Sequence, residues 1–407
     1  MTTRAFAILC TAIAAGVCMA MPALRAQTVP QSAQPASTAA KDATEFDRLS
    51  KLAGEAREAG RLGEAILWYQ QALAMRPDWD EGQWNLGTLL YSADRHAEAR
   101  EVFSRLVAKL PKHGPSWAFL GLCETSLRDY ERAVVDLDKA RMLGLGDNPL
   151  LVRVTHYNLG ILLNRFGRYE QAFEVLKGFA RERTEEPSII EAIGLATIRM
   201  PYFPEEIPAD KREMVLLAGR AGSKMATAAF EDADKLFREL LERYPGVPNL
   251  HYAYGSFLTS WHYPEKGIPE FRRELEISPD HVPARLYLAH TFMQQGDYRA
   301  ALPYAEEAVK LAPRLGNARY ALGRALLSLG EVKRAIRELE TGVEFEPEHA
   351  DLRFQLARAY RQAGRKQDAA RESAVFERLD KIRRRVEEEP PKPAGQAAQA
   401  PPASPPQ

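Results

Sequence analysis

The chain has 407 residues, of which 45% are hydrophobic and 27% are charged, the composition of an ordinary globular protein. This composition excludes a wholly disordered chain and a membrane protein with many spans. Lys and Arg together number 55, as do Asp and Glu, so the formal net charge is zero. A zero net charge argues against nucleic acid as the main partner, because a protein that reads phosphates needs a basic excess.

The first 26 residues have the pattern of a secretory signal. Arg4 supplies the positive start, residues 5–21 form an alanine-rich apolar run, and Ala26 is a small residue at a candidate cleavage site. We therefore expect residues 1–26 to direct export to the periplasm, with a retained membrane anchor or secretion as the alternatives. Residues 27–44 are rich in Ala, Gln, Ser, Thr and Pro and are predicted to form a disordered linker.

The interior of the sequence is periodic, and equivalent positions recur at a regular interval of about 34 residues. In one series, a leucine or tyrosine is followed directly by Ala or Gly, at Leu52, Leu86, Leu120, Leu159, Tyr254, Leu288, Leu322 and Leu356. Thirteen residues after most of these positions stands an alanine, which in several units precedes Tyr, Phe or Leu by four residues. Prolines close the units in the same frame, at Pro77, Pro111, Pro245, Pro279, Pro313 and Pro347.

This pattern resembles the tetratricopeptide repeat, a helix-turn-helix unit of about 34 residues. The resemblance extends from about Glu45 to Leu379. It implies an all-α fold, an α-solenoid of stacked helix pairs that forms a right-handed superhelix. In each unit, the small residue after the leucine lets helix B approach helix A closely. Glycine is expected to end helix A at the turn, at Gly60, Gly167, Gly296, Gly330 and Gly364.

Breaks in the repeat frame suggest the domain organisation. We predict an N-terminal repeat array at 45–199, a Pro-rich insertion at 200–210, and a C-terminal array at 211–388 that ends in a capping helix. Pro201, Pro204 and Pro208 forbid a continuous helix, so the insertion is interpreted as a hinge or protruding loop, or as a tolerated surface insertion. The Pro- and Ala-rich tail at 389–407 is predicted to be disordered.

The sequence carries none of the common motifs of catalysis, metal binding or cofactor binding. It lacks His-Glu-x-x-His, a Cys/His zinc cluster, a P-loop, Gly-x-Ser-x-Gly and Gly-x-Gly-x-x-Gly. We therefore expect no catalytic residues, no metal and no cofactor, and an enzyme with an unrecognised site remains an alternative. Cys123, the one cysteine outside the signal segment, is predicted to be a core residue.

Candidate binding residues follow from the resemblance, which places the A helices on the concave face. Aromatic side chains offer contact area at low entropy cost, and arginine offers charge-assisted hydrogen bonds. The predicted partner-binding residues are Trp84, Asn85, Tyr91, Phe119, Tyr157, Asn158, Asn164, Tyr252, Tyr287, His290, Tyr320, Arg324, Phe354 and Arg358. The arginines of the last two units would suit an acidic end of the ligand. The alternative is that the aromatic stripe packs between adjacent A helices.

The function that this pattern favours is that of a non-enzymatic scaffold that binds peptide segments of partner proteins in the cell envelope. The alternative is an assembly subunit of a pilus, secretion or polysaccharide-export machine. Proteins or peptides are the expected partners and nucleic acid is not. Contact with a membrane is expected only through the signal segment, if that segment is retained.

Overall fold

The computed structural model describes residues 36–182 and 184–388, and in these residues it contains 19 α-helices, one short 3-10 turn and no strand. The prediction of an all-α repeat of stacked helix pairs is confirmed. The predicted signal segment at 1–26 and the predicted tail at 389–407 lie outside the described residues. No helix within the described ranges combines the length and the apolar composition that a membrane span requires.

The chain divides into two compact units. Of the described residues, the first unit contains 36–176 together with Pro201–Glu206, and the second contains 177–182, 184–200 and 207–388. The first unit holds helices α1 (Ala36–Glu58), α2 (Leu62–Met75), α3 (Asp80–Ser92), α4 (His96–Lys109), α5 (Gly114–Ser126), α6 (Tyr130–Leu143), α7 (Pro149–Arg165) and the first part of α8 (Tyr169–Arg181). Its first helix begins within 27–44, the segment predicted to be a disordered linker, so residues 36–44 are helical instead.

The second unit holds the remaining helices, which are α9 (Pro187–Thr197), α10 (Ala209–Ala226), α11 (Phe230–Arg243), α12 (Leu250–Ser260), α13 (Pro264–Ile277), α14 (Val282–Gln294), α15 (Tyr298–Leu311), α16 (Gly316–Ser328), α17 (Val332–Phe345), α18 (Ala350–Gln362) and α19 (Lys366–Glu388). The A helices are α10, α12, α14, α16 and α18, and each packs against the B helix that follows it. Helix α19 runs unbroken from the last B position through the predicted capping segment.

Close approach of helix B to helix A depends on the small residue after the repeat leucine, as predicted. A Cβ atom on Gly121 would lie 2.7 Å from Cγ of Leu137, and one on Gly87 would lie 2.7 Å from Cζ of Phe103. Leu137 and Phe103 are themselves fully buried. The apolar side chain of helix B therefore fills the space that glycine leaves on helix A.

The turns between A and B helices share one backbone conformation. The second residue after each A helix has a positive φ, at Gly60, Asp94, Arg128, Gly167, Ala228, His262, Gly296, Gly330 and Gly364. Five of these are the predicted glycines. The other four are residues with a Cβ atom, which adopt this left-handed conformation at a steric cost. The shape of the turn is therefore kept by the repeat architecture even where the sequence does not favour it.

Helix α9 has the turn of an A helix but no B helix of its own. Arg199, two residues after α9, has a φ of 54°, and the chain then enters the Pro-rich insertion. Helix α9 packs instead against α10, the next A helix. The repeat frame assigns these residues to the N-terminal array at 45–199, whereas their contacts place them in the second unit.

Part of the Pro-rich insertion is fixed to the first unit, and it does not protrude. Phe203 is 7% exposed, and its ring centroid lies 5.3 Å from that of Tyr130. The guanidinium of Arg165 donates to the carbonyl oxygen of Pro201 at 2.9 Å and forms an ion pair with Glu206 at 3.2 Å. These contacts anchor residues 201–206, so the interpretation as a protruding loop is wrong for them.

Candidate binding face

The predicted aromatic contacts of the first unit lie in its interior. Trp84 is 8% exposed, and its ring centroid lies 5.4 Å from those of His113 and Phe119. Phe119 is 1% exposed and stacks on Phe103 at 5.1 Å. Tyr91 is also buried against Phe119. These rings join neighbouring repeats to one another, so they offer little surface to a partner.

The predicted polar contacts of the first unit are also buried. The side-chain oxygen of Asn85 accepts a hydrogen bond from Arg57 at 2.7 Å, which links the A helices of the first two repeats. Asn158 donates to the carbonyl oxygen of Val154 at 2.8 Å, in its own helix. The remaining two predicted contacts of this unit, Tyr157 and Asn164, are buried as well. The seven residues predicted in this unit are thus all buried.

The second unit divides its predicted contacts between interior and surface. Tyr252 is 6% exposed, with its ring centroid 4.8 Å from that of His281. Tyr287 is half-buried, stacks on Phe271 at 4.9 Å, and accepts a hydrogen bond from Ser256 at 3.2 Å. The other five predicted residues of this unit lie on a continuous exposed surface.

This surface, which we call the exposed stripe, runs across α14, α16 and α18. Each helix contributes three residues spaced by four, and equivalent residues on the three helices are one repeat apart. The stripe consists of Leu286, His290 and Gln294 on α14, Tyr320, Arg324 and Ser328 on α16, and Phe354, Arg358 and Gln362 on α18. All nine are exposed or half-buried, and α16 packs against both α14 and α18. The structure therefore brings five of the predicted residues together on one face.

The prediction from sequence missed the third row of the stripe, which is Gln294, Ser328 and Gln362. All three are exposed polar residues in the last turn of their helices. Their recurrence at one-repeat intervals is visible in the sequence. Because this row lies eight residues after Leu286, Tyr320 and Phe354, it falls on the same helix face two turns later.

Several polar side chains of the stripe contact another side chain of their own helix. Arg324 donates to the hydroxyl oxygen of Tyr320 at 3.5 Å, and Arg358 donates to the side-chain oxygen of Gln355 at 3.2 Å. His290 and Gln294 lie 3.0 Å apart through their side-chain nitrogens. Burial lowers the pKa of His290 below its ordinary value, and the charge of Arg324 lowers it further. The basic groups of adjacent helices are therefore close enough to act on one another.

Outside the stripe, we consider the thiol of Cys123 and the groups of side chains that could hold a metal ion. Cys123 is fully buried, and burial raises the pKa of its thiol far above the ordinary value, which disfavours the reactive thiolate. Within residues 36–182 and 184–388, no group of three or more His, Cys, Asp or Glu side chains is placed so that it could hold a metal ion.

Known proteins are similar to parts of this chain. General transcriptional corepressor trfA of Dictyostelium discoideum is 29% identical over 124 residues, which cover 30% of this chain and 9% of that protein. Protein O-mannosyl-transferase TMTC3 of Homo sapiens is 23% identical over 266 residues, which cover 62% of this chain and 28% of that protein. The chain therefore spans less than a third of either relative.

A similar solved structure is MamA from Desulfovibrio magneticus RS-1, with 20% identity and a TM-score of 0.39, covering 42% of this chain and 96% of that one. The sequence profile of the tetratricopeptide repeat matches residues 56–123 and 292–347. The second match includes all of α16 and therefore its part of the exposed stripe. Residues 56–123 and 292–347 of this chain are therefore tetratricopeptide repeats.

Proposed function

We propose that this chain is a non-enzymatic scaffold that binds an extended segment of a partner protein on the exposed stripe. The observation that carries the proposal is the repetition of side-chain types across three neighbouring A helices. Each helix offers an apolar, a basic and a polar side chain in the same order, from Leu286, Tyr320 and Phe354 to Gln294, Ser328 and Gln362. A ligand that crosses the helices would meet the same environment on each.

Exposed aromatic surface on this face supports the proposal. Phe354 is 38% exposed even though its ring packs against Phe376 at 5.2 Å, and Tyr320 is half-buried. Burial of an exposed apolar side chain under a partner protein would contribute favourable free energy to binding. Aromatic and arginine side chains are also the types that contribute most to binding at protein interfaces.

Affinity capture from an extract of the native cell tests this function. We expect the wild-type protein to retain a partner that the double variant Tyr320→Ala/Phe354→Ala does not retain. Phe345→Ala is the matched control, because Phe345 is also 38% exposed but lies at the end of a B helix, α17. Equal capture by the stripe variant and the control would contradict the proposal.

We further propose that the scaffold acts in the cell envelope, after export directed by residues 1–26. The support is the sequence of that segment, with Arg4 before an alanine-rich apolar run. Cell fractionation with N-terminal sequencing of the mature protein would test it, and a cytoplasmic product that keeps residues 1–26 would contradict it. The capture experiment also separates a general scaffold from a dedicated assembly subunit, which would retain a single partner in a fixed ratio.

A further inference from the structure

Helices α16 and α18 each carry one arginine that forms an ion pair with an acidic side chain and one that lies in the exposed stripe. Arg319 on α16 forms an ion pair with Glu338 at 2.6 Å, and Arg353 on α18 forms one with Glu372 at 2.7 Å. Both also donate to a proline carbonyl oxygen, that of Pro313 or Pro347. The charges of Arg319 and Arg353 are therefore neutralised within their own repeats.

Arg324 and Arg358 lie five residues further along the same helices and have only neutral partners in the described chain. These partners are the phenol of Tyr320 and the amide oxygen of Gln355. Of the residues in α14, α16 and α18, Asp351 alone is acidic, and it lies seven residues before Arg358, which is about 10 Å along the helix. The middle row of the stripe therefore carries two positive charges, those of Arg324 and Arg358, that no acidic side chain compensates, and His290 is the third residue of the row.

The spacing of this row limits the shape of its ligand. Arg324 and Arg358 are one repeat apart and occupy equivalent positions on two A helices that pack against each other. The axes of packed helices are about 8–10 Å apart. A polyproline II segment has three residues per turn and rises about 9 Å per turn, so every third side chain faces the same side at a matching interval. In a β-strand, residues three apart point to opposite faces.

Building on the proposed function, we infer that the segment bound on the exposed stripe is acidic and adopts the polyproline II conformation, with Asp or Glu at every third position. One acidic side chain faces each of His290, Arg324 and Arg358. The intervening residues, proline among them, pack against the apolar row of Leu286, Tyr320 and Phe354. Proline-rich segments commonly bind to surfaces lined by aromatic side chains. They lose little conformational entropy on binding, because the polyproline II conformation is already formed in the free segment.

A nucleic acid would fit this face less well than an acidic peptide. The formal net charge of the chain is zero, and the basic row holds only two permanent charges, Arg324 and Arg358. Burial and the charge of Arg324 lower the pKa of His290, which favours its neutral form. Two charges supply little of the counterion release that gives nucleic-acid binding its strength.

Selection from a displayed library of random 12-residue peptides tests the inference on the purified full chain. We expect the wild-type protein to enrich peptides with Asp or Glu at every third position, and the double variant Arg324→Glu/Arg358→Glu to lose this enrichment. Arg299→Glu/Arg378→Glu is the matched control. It changes the net charge equally at exposed positions on α15 and α19 and should retain the selection.

Two synthetic peptides of equal composition test the spacing by fluorescence anisotropy. One repeats Glu-Pro-Ala four times, and the other carries four Glu residues at one end, followed by four Pro-Ala pairs. A residue before proline favours the polyproline II region, so the spaced peptide and the Pro-Ala part of the other peptide are extended. We expect the spaced peptide to bind more tightly, and the Arg324→Glu/Arg358→Glu variant to weaken its binding by about tenfold or more.

The outcomes separate this inference from the function on which it rests. Enrichment of peptides without regularly spaced acidic residues would overturn the inference and leave the proposed function standing, provided that Tyr320→Ala/Phe354→Ala abolishes the enrichment. Equal binding of the two synthetic peptides would overturn the spacing. Tighter binding of a single-stranded 12-nucleotide DNA than of the spaced peptide would overturn the choice of ligand. Enrichment of no peptide would contradict both the inference and the proposed function.

Discussion

Gly194 and Gly219 lie at the crossing of α9 and α10, where the backbones of the two helices touch. A Cβ atom on Gly194 would overlap the carbonyl oxygen of Val215, and one on Gly219 would overlap the carbonyl oxygen of Ile190. At Gly121, by contrast, the nearest atoms to such a Cβ atom belong to the side chain of Leu137. The extra helix α9 is therefore joined to the second unit by a direct backbone contact that only glycine permits.

We predict that Gly194→Ala lowers the free energy of unfolding by about 1–3 kcal/mol, because the backbones at the crossing must move apart. Gly178→Ala on α8 is the matched control, since a Cβ atom there would meet nothing within 4 Å. Its expected effect is a gain of about 0.5–1 kcal/mol from the better helix propensity of alanine. Urea denaturation followed by circular dichroism measures both, and equal stability of the two variants would refute the backbone contact at the crossing.

A reciprocal pair of substitutions tests the shared conformation of the A–B turns. Ala228 has a φ of 59°, and Gly330 has a φ of 85° at the equivalent turn of another repeat. Ala228→Gly should raise the free energy of unfolding by about 0.5–1 kcal/mol, because glycine relieves the left-handed strain at some entropic cost. Gly330→Ala should lower it by about 1 kcal/mol, although there is open space around that position. Changes of the same sign in the two variants, measured by urea denaturation, would contradict a common turn.

Glu124 on α5 is paired with another carboxyl group inside the third repeat. It is 4% exposed, and burial, together with the negative charge of Asp136 on α6, raises its pKa to about 8. Burial also raises the pKa of Asp136. Since the pKa of Glu124 is higher in the folded than in the unfolded chain, the folded chain binds more protons. Stability should therefore be lost as the pH rises from about 4.5 to about 8.

We predict that Glu124→Gln raises the melting temperature at pH 9 by at least about 2 °C, because the amide carries no charge to bury. At pH 4.5 and below, where the wild-type carboxyl is protonated, the difference should disappear. Glu101→Gln on α4 is the control, since Glu101 is exposed. Thermal melts across this pH range measure the difference in melting temperature between Glu124→Gln and the wild type. A stabilisation by Glu124→Gln that increases toward low pH would contradict the predicted direction of the pH dependence.

Trp84 and Phe354 occupy equivalent positions, two residues before a repeat leucine, but should respond differently to substitution. Trp84→Ala removes a ring buried among His113, Phe103 and Phe119, and it should lower the free energy of unfolding by about 3 kcal/mol or more. Phe354→Ala should lower it by about 1 kcal/mol and weaken partner capture. Denaturation and partner capture should be measured on both variants. Unfolding of the chain by Phe354→Ala but not by Trp84→Ala would contradict the prediction.

The repeat frame is predictable from the sequence because one repeating interval constrains each unit in the same way. Gly87, Gly121 and Gly323 are expected to allow close approach of helix B, and a Cβ atom on each would collide with the apolar residue 16 positions later. The A–B turns are predictable only where they contain glycine. Arg128 and His262 adopt the same conformation because the flanking helices impose it. This constraint comes from the packing of the helices and cannot be predicted from the residue types at the turn.

The exposed stripe is only partly predictable, because the exposure of a residue on an A helix depends on the neighbouring helices. Trp84 and Phe354 have the same register, yet Trp84 is 8% exposed and Phe354 is 38% exposed. The difference arises from the adjoining repeat. Phe119 and His113 of the next unit cover Trp84, whereas no further repeat comes after Phe354 within the described residues. Register alone cannot distinguish a ring between two repeats from a ring at a surface.

Direct contact between a partner protein and the exposed stripe is tested most sharply by site-specific photo-crosslinking. A benzophenone amino acid in place of Phe354, in otherwise unchanged protein within its native cells, should form a covalent product with a partner protein. The same probe in place of Phe345, which is equally exposed on a B helix, should form none with that partner. Crosslinking of the partner at position 345 and none at position 354 would contradict binding on the stripe.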